Sequence, residues 1–272
     1  MQSVLFHVEP SDVDLLIADL WAMGTAGLIE DESGLRAFFE DEQTARAVAT
    51  RYGSDAIEVR AEKPPWTLEF SREDWDAICI GERFFVVPPW VDTPTPEGRY
   101  RLSIDAATAF GTGRHESTQL VMEALEGYIK GGETVVDVGC GTGILGLAAQ
   151  ALGAAEIVSC DIHADTLGSV RQRLRSVFLG SADAIRDSAA DVTVVNISAR
   201  VVDALASEVR RMTKPTGVVI VAGFIRENTP KRFRPDRILE RGDWLCWVCK
   251  QESVDAAAMN RRPLQPYSEQ WW

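Results

Sequence analysis

Three glycines follow an aspartate at short, fixed spacing in Val135-Val136-Asp137-Val138-Gly139-Cys140-Gly141-Thr142-Gly143. The apolar residues before them read as a buried strand, and the glycines as a turn that opens a helix. Such a turn lets a nucleotide-like cofactor approach the backbone, because glycine has no Cβ in the way. Asp161 ends the next apparent strand, Ile157-Val158-Ser159-Cys160, 22 residues after Gly139. At that spacing a carboxylate meets a ribose hydroxyl in a Rossmann-like unit. Asp137, Gly139, Gly141 and Asp161 are therefore candidate cofactor contacts.

NAD-binding chains share a glycine turn, so the turn alone leaves the cofactor open. Two details favour S-adenosylmethionine. The glycines run G-x-G-x-G rather than the G-x-G-x-x-G of the dinucleotide fingerprint. Asp137, at the strand tip, would also repel a pyrophosphate seated at the helix N-terminus. S-adenosylmethionine carries an ammonium and a sulfonium and no phosphate, so the same carboxylate suits it. The alternatives are an NAD-dependent oxidoreductase and a tight strand–helix turn that binds nothing.

Two further segments offer chemistry. Asn196 follows Val192-Thr193-Val194-Val195, a strand apolar enough to be buried. It is a candidate catalytic residue, since its side-chain oxygen can accept a hydrogen bond from an incoming amine. Its plainer use is to cap the next helix. In Ala109-Phe110-Gly111-Thr112-Gly113-Arg114-His115-Glu116-Ser117-Thr118, two glycines flank a threonine just before a helix. Phe110 could face a sulfonium in a cation–π contact. Thr118 would present its hydroxyl to a cofactor carboxylate near a helix N-terminus. His115 is a base or, more commonly for a lone histidine, a structural residue.

The elements that must position these residues follow from periodicity. Strand and helix patterns alternate as helix 116–129, strand 134–138, helix 143–152, strand 156–160, helix 164–178, strand 192–196, helix 200–212 and strand 217–222. This is the pattern of a parallel α/β sheet covered on both faces. Arg237 to Lys250 reads as a strand pair that finishes the sheet. Before it, Val4 to Val8, a helix capped by Ser11, Ala26 to Glu30, Leu35 to Phe39, a helix ending at Gly53, and Ala56 to Arg60 give βαββαβ, the order of a ferredoxin-like α+β domain. The expected division is 1–63 for that domain, 64–98 for a linker with a short helix at 73–78, a strand at 83–87 and a proline-stiffened connector, 99–250 for the larger domain, and 251–272 for a polar tail.

Composition narrows the class. The 272 residues are 46% hydrophobic and 25% charged, with a net charge of −13. That balance argues against direct nucleic-acid binding, which needs a basic footprint. No apolar run is long enough for a membrane span, and the N-terminus lacks the pattern of a secretory signal. Five cysteines, an odd number, suggest reduced thiols in a cytoplasm. Cys246 and Cys249 form a C-x-x-C on a strand, which turns the thiols to opposite faces, so no metal site is expected. Residues 1–63 hold 13 acidic and 5 basic residues, net −8. This is either a solvated face or a surface that recruits a basic protein.

Taken together, Trp75 to Trp90, Ala109 to Thr118, Val135 to Gly153, Asn196 to Ala199 and the small N-terminal unit resemble the bacterial PrmA family of ribosomal protein methyltransferases. The resemblance covers roughly residues 4–250. It implies a seven-stranded Rossmann-like methyltransferase domain with cofactor contacts at Thr118, Gly139, Asp161 and Asn196. It also implies an N-terminal domain that recruits ribosomal protein eleven of the large subunit, and methyl transfer from S-adenosylmethionine to lysine or N-terminal amines. Where the family has Thr-His-Pro-Thr-Thr this chain has Arg114-His115-Glu116-Ser117-Thr118. Ser198 replaces a leucine, and Ala222-Gly223-Phe224 replaces Ser-Gly-Ile. These departures keep open another protein lysine or a small amine as acceptor, and a binding module without transfer activity.

Overall fold

A computed structural model describes residues 1–7, 16, 20, 23–25, 27–31, 34–53, 56–62, 76–104 and 112–255. The chain divides into two compact units between Ser71 and Arg72.

In the first unit, strands β1 (Gln2–Phe6), β2 (Gly27–Asp31), β3 (Gly34–Phe39) and β4 (Ala56–Ala61) form a sheet in the order β2-β3-β1-β4. Every neighbouring pair is antiparallel. Alternation turns Val4, Phe6, Ala37 and Phe39 to one face, where they pack with Ala45 and Val48 of helix α1 (Glu42–Tyr52). Leu16 and Leu20, four residues apart, join that core. The rest of the helix expected after Ser11 lies outside the described residues. Helix α1 begins where the Asp41 side chain accepts the Thr44 N–H at 2.8 Å, an N-cap that satisfies a donor with no intrahelical partner.

The second unit opens with a three-stranded sheet of β5 (Ile78–Ile80), β6 (Phe84–Val87) and β7 (Tyr100–Ser103). Ile78 therefore starts a strand where the sequence pattern suggests the end of a helix, and β5 and β6 lie inside the stretch read as a linker. Their apolar side chains decide this: Ile80, Phe84 and Val86 are buried in the same core as the helices that follow. The Glu126 carboxylate accepts the Glu82 and Arg83 N–H groups at 3.1 and 2.8 Å and pins the β5–β6 turn. The Arg99 guanidinium donates to the carbonyls of Gly81 and Phe84.

The main sheet has seven strands in the order β10-β9-β8-β11-β12-β14-β13. They are β8 (Thr134–Val138), β9 (Glu156–Asp161), β10 (Ser176–Leu179), β11 (Ala190–Asn196), β12 (Thr213–Ile225), β13 (Arg237–Arg241) and β14 (Trp244–Lys250). The first five run parallel, β14 pairs antiparallel with β12, and β13 pairs antiparallel with β14. Helices α2 (Glu116–Tyr128), α3 (Ile144–Ala151) and α4 (Ala164–Val170) share one core with Val192, Val194 and Ile220. The alternate residues Thr193, Val195, Val219 and Val221 are also fully buried. The opposite face carries α5 (Ala199–Ala204) and α6 (Ala206–Met212), which contact β12. Among the described residues no helix is long and apolar enough to cross a membrane.

The helix expected over 164–178 ends at Val170, and Ser176–Leu179 is strand β10. Leu167, Val170, Leu174 and Val177 keep helical spacing, so periodicity alone carries the helix too far. Parallel pairing of Ser176 with Val158 through Leu179 with Asp161 overrides that local preference.

Gly143, the N-cap of α3, has φ 75°, and a Cβ there would lie 2.7 Å from Val170 Cγ1. Val170 is buried and stiff at χ1. Gly143→Ala should therefore lower stability by about 1–3 kcal/mol. Urea unfolding followed by circular dichroism measures this; an unchanged midpoint would contradict the close approach.

Candidate active site

The site residues are brought together by sheet register. Val138 pairs with Cys160 on one side and Val195 on the other, and Asn196 pairs with Ala222. One residue past those rungs, Gly139 stands between Asp161 and Asn196 at the carboxyl ends of three adjacent parallel strands. This is the edge at which open α/β sheets bind ligands. With strands about 4.8 Å apart, the row from Asp161 to Ala222 spans roughly 14 Å.

The turn after β8 is held by its own backbone and by one carboxylate. Gly139, Gly141 and Gly143 all have left-handed φ, at 73°, 50° and 75°. The N–H groups of Gly139 and Cys140 donate to the Cys160 carbonyl at 2.9 and 3.1 Å. Asp161 accepts the Gly141 N–H on Oδ2 at 2.9 Å and the His163 N–H on Oδ1 at 3.0 Å. Each oxygen keeps a lone pair for a further donor, such as a hydroxyl.

Asp137 is placed differently from the picture of a carboxylate at an open strand tip. It is 1% exposed, and neither oxygen has a hydrogen-bond partner. Its register partner Ser159 is fully buried with an unpartnered hydroxyl. Burial pushes the Asp137 carboxyl up to about 7; the nearby Gly146 N–H offsets this only partly and falls short of a hydrogen bond, and the Asp161 charge adds to the rise. Asp137 thus lies within the sheet rather than on an exposed strand tip.

At the far end of the row, Asn196 donates from Nδ2 to Thr118 Oγ1 at 3.4 Å, and its Oδ1 is buried without a partner. Thr118 is fully buried in the first turn of α2. His115 caps that helix: Nδ1 accepts the Ser117 N–H at 3.3 Å and lies 2.8 Å from the Ser117 hydroxyl. Its ring meets Trp244 edge-on at 4.3 Å. Burial holds the imidazole below its ordinary pKa, with Glu116 pulling slightly the other way. His115 is therefore a structural cap, and its neutral form suits that task. Phe110 lies outside the described residues.

The four buried cysteines are held as thiols. Burial pushes the Cys140 thiol well up, reinforced by Asp137 and Asp161, and it takes Cys160 to about 12. Cys246 and Cys249 are both buried and free. Among the described residues no cluster of His, Cys, Asp and Glu could hold a metal. Sequence reasoning missed two features of the site. One is the buried Ser159 hydroxyl. The other is Gly223, whose place inside a strand was itself a signal of a bulge.

The donor set fits a cationic, phosphate-free cofactor. The glycine turn stands between Asp161 and Asn196, and the Asp161 oxygens and the orphaned Asn196 oxygen offer acceptor lone pairs.

Comparison with known proteins agrees in direction. The family model described as ribosomal protein L11 methyltransferase (PrmA) matches residues 18–252. The ribosomal protein L11 methyltransferase of Burkholderia lata is 37% identical over 178 residues, covering 61% of this chain and 59% of that protein. The chain thus spans under two thirds of the length of that relative. The one from Cupriavidus metallidurans is 31% identical over 241 residues, covering 81% and 78%. A crystal structure of a ribosomal protein L11 methylase from Lactobacillus delbrueckii subsp. bulgaricus superposes with a TM-score of 0.59 at 27% identity, over 64% of this chain and 97% of that one.

The buried carboxylate makes a pH prediction. An unfolded aspartate ionises near 3.8, and folded Asp137 near 7. The folded state therefore holds the extra proton between those values, and this residue's contribution to stability falls as pH rises through that window. Asp137→Asn should gain on the parent by roughly 2–3 kcal/mol between about pH 5 and about pH 8. Urea midpoints of both proteins at the two pH values measure it; a parallel pH response would contradict the buried, unpaired state.

Proposed function

The chain belongs to the ribosomal protein L11 methyltransferase (PrmA) family, and on that premise we propose that it transfers methyl groups from S-adenosylmethionine to amines of ribosomal protein L11. The acceptors in this reading are lysine side chains and the N-terminal amine. The observation that carries it is the buried, unpartnered Oδ1 of Asn196 at the end of β11.

Bound S-adenosylmethionine supplies a methyl group already activated by the sulfonium charge. The chain's own residues then have mainly to position the partners. The glycines at 139 and 141 admit the cofactor to the backbone, and Asp161 accepts its ribose hydroxyls on its remaining lone pairs. Thr118, at the N-terminus of α2, takes the cofactor carboxylate, where the helix dipole favours negative charge. Phe110, which lies outside the described residues, is assigned the cation–π contact with the sulfonium in this reading. Asn196 accepts a hydrogen bond from the incoming amine and directs its lone pair at the methyl carbon. A free lysine has a pKa of about 10.4, and desolvation in the site lowers it, so the amine sheds its proton to water before transfer.

We read the first unit as ferredoxin-like, from its antiparallel order β2-β3-β1-β4. Its net charge of −8 over residues 1–63 fits recruitment of a basic protein. The reaction belongs in the cytoplasm, with no direct contact to nucleic acid or membrane.

Intact mass of purified ribosomal protein L11 after incubation with chain and cofactor tests the reading; methyl-sized increments are expected. Cofactor binding without a product on any basic protein would indicate a binding module instead, and tight NADH binding an oxidoreductase. Asn196→Ala should cut turnover about 100-fold while leaving cofactor affinity within a few-fold. Asp161→Ala should weaken cofactor binding by roughly 10- to 100-fold in calorimetry. Unchanged turnover in the first variant, or unchanged affinity in the second, removes that residue's role.

A further inference from the structure

We propose that Gly223 is a positioning residue for Asn196, acting through a bulge in β12. The proposal rests on the reading above that Asn196 meets the acceptor amine.

Strand β12 pairs with β14 in regular register up to Ala222 opposite Cys246, and then resumes with Phe224 opposite Leu245. Gly223 is the extra residue between them. The bulge lets Ala222 stay in the core under α2 with Cys246, while Phe224 turns to the other face and packs edge-on against Trp247, ring centroids 5.3 Å apart. Gly223 has φ 93°, a backbone conformation that side chains disfavour.

The reason for that conformation lies across the sheet. Asn196 is the last residue of β11 to pair with β12, opposite Ala222. Immediately after it, the Ile197 N–H donates to the Ala222 carbonyl at 3.0 Å. The Ile197 backbone then lies directly against the missing side chain of Gly223: a Cβ there would sit 2.5 Å from the Ile197 carbonyl oxygen and 2.8 Å from its carbonyl carbon and nitrogen. These neighbours are backbone, so no side-chain rotation relieves the overlap. Any side chain at 223 presses on the Ile197 backbone on both sides of its Cα, and the Ile197 nitrogen belongs to the peptide that joins it to Asn196. That peptide carries the Asn196 side chain, whose Nδ2 reaches Thr118 at only 3.4 Å and whose Oδ1 depends on its direction alone. The bulge is thus the seat on which the amine-facing amide rests.

The test is a double-mutant cycle in the 272-residue chain. Gly223→Ala should lower turnover roughly 10- to 100-fold with cofactor affinity changed by less than about threefold, because misplacement costs orientation rather than binding. In an Asn196→Ala background the same change should cost less than about twofold, since the group it positions is gone. Equal losses in both backgrounds would overturn the proposal. A second readout is independent of turnover. The Asn196 side-chain amide resonances, identified by their loss in Asn196→Ala, should shift in Gly223→Ala; an unmoved pair overturns the positioning role. If wild type transfers no methyl group, the functional reading fails while the resonance shift still decides the positioning. If Gly223→Ala does not fold, Phe224→Leu loosens the same bulge from Trp247 and is put through both measurements with the same expected signs.

Discussion

The pairing of β8 on both of its edges is the constraint on which the rest of the site depends. Val138 is locked between Cys160 and Val195, so the residues that follow on three strands leave the sheet on one line. A slip of one residue would carry Asp137 and its neighbours to the opposite face, where Val136 now packs. Burial on both faces makes that slip costly, because it would exchange apolar residues for Asp137 and Ser159. Hydrophobic pairing far from any ligand therefore decides where Gly139, Asp161 and Asn196 stand.

Two aspartates in neighbouring strands show how environment divides one chemistry into two tasks. Asp161 accepts backbone N–H groups on both oxygens and ties the glycine turn to β9. Asp137, one strand away, has no hydrogen-bond partner, and the nearby Gly146 N–H offsets only part of the cost of its burial. An unpaired buried carboxylate is a local violation of the rule that buried polar groups are satisfied, and such violations concentrate at functional sites. Its position beneath the turn suits it to interact with a cationic ligand at a distance. In a medium of low dielectric that interaction is stronger at a given distance than it would be in water.

How far the sequence reveals this depends on which force decides each element. The strands 134–138 and 156–160 were legible because short runs of apolar and β-branched residues, Val135-Val136 and Ile157-Val158, open them. The turn was legible because only glycine meets its φ requirement. Helix 164–178 was misread because Leu167, Val170, Leu174 and Val177 hold helical spacing across a boundary that strand pairing imposes. The strand at 83–87 was legible and is β6, whereas β5 was hidden, because its three residues directly follow a helical pattern and become a strand only by pairing with β6. In the site, residue types at strand ends were readable one by one. The depth of Asp137 and the Ile197 backbone lying against Gly223 were not, because each depends on contacts between segments distant in sequence.

The titratable groups around the row favour alignment over proton transfer as the work of the site. His115 spends Nδ1 on the first turn of α2, and burial keeps it neutral. The thiols of Cys140 and Cys160 are held protonated. Asp137 is sealed beneath the turn, and Asp161 is occupied by two N–H groups. The group that the proposed reading turns to the acceptor is an uncharged amide, Asn196, beside a hydroxyl, Thr118. An amide cannot take a proton from an ammonium, but it can hold an amine that has already lost one. The physical burden then falls on direction, and direction at Asn196 is set by backbone: the last rung to Ala222, the Ile197 hydrogen bond, and a glycine that leaves room for both.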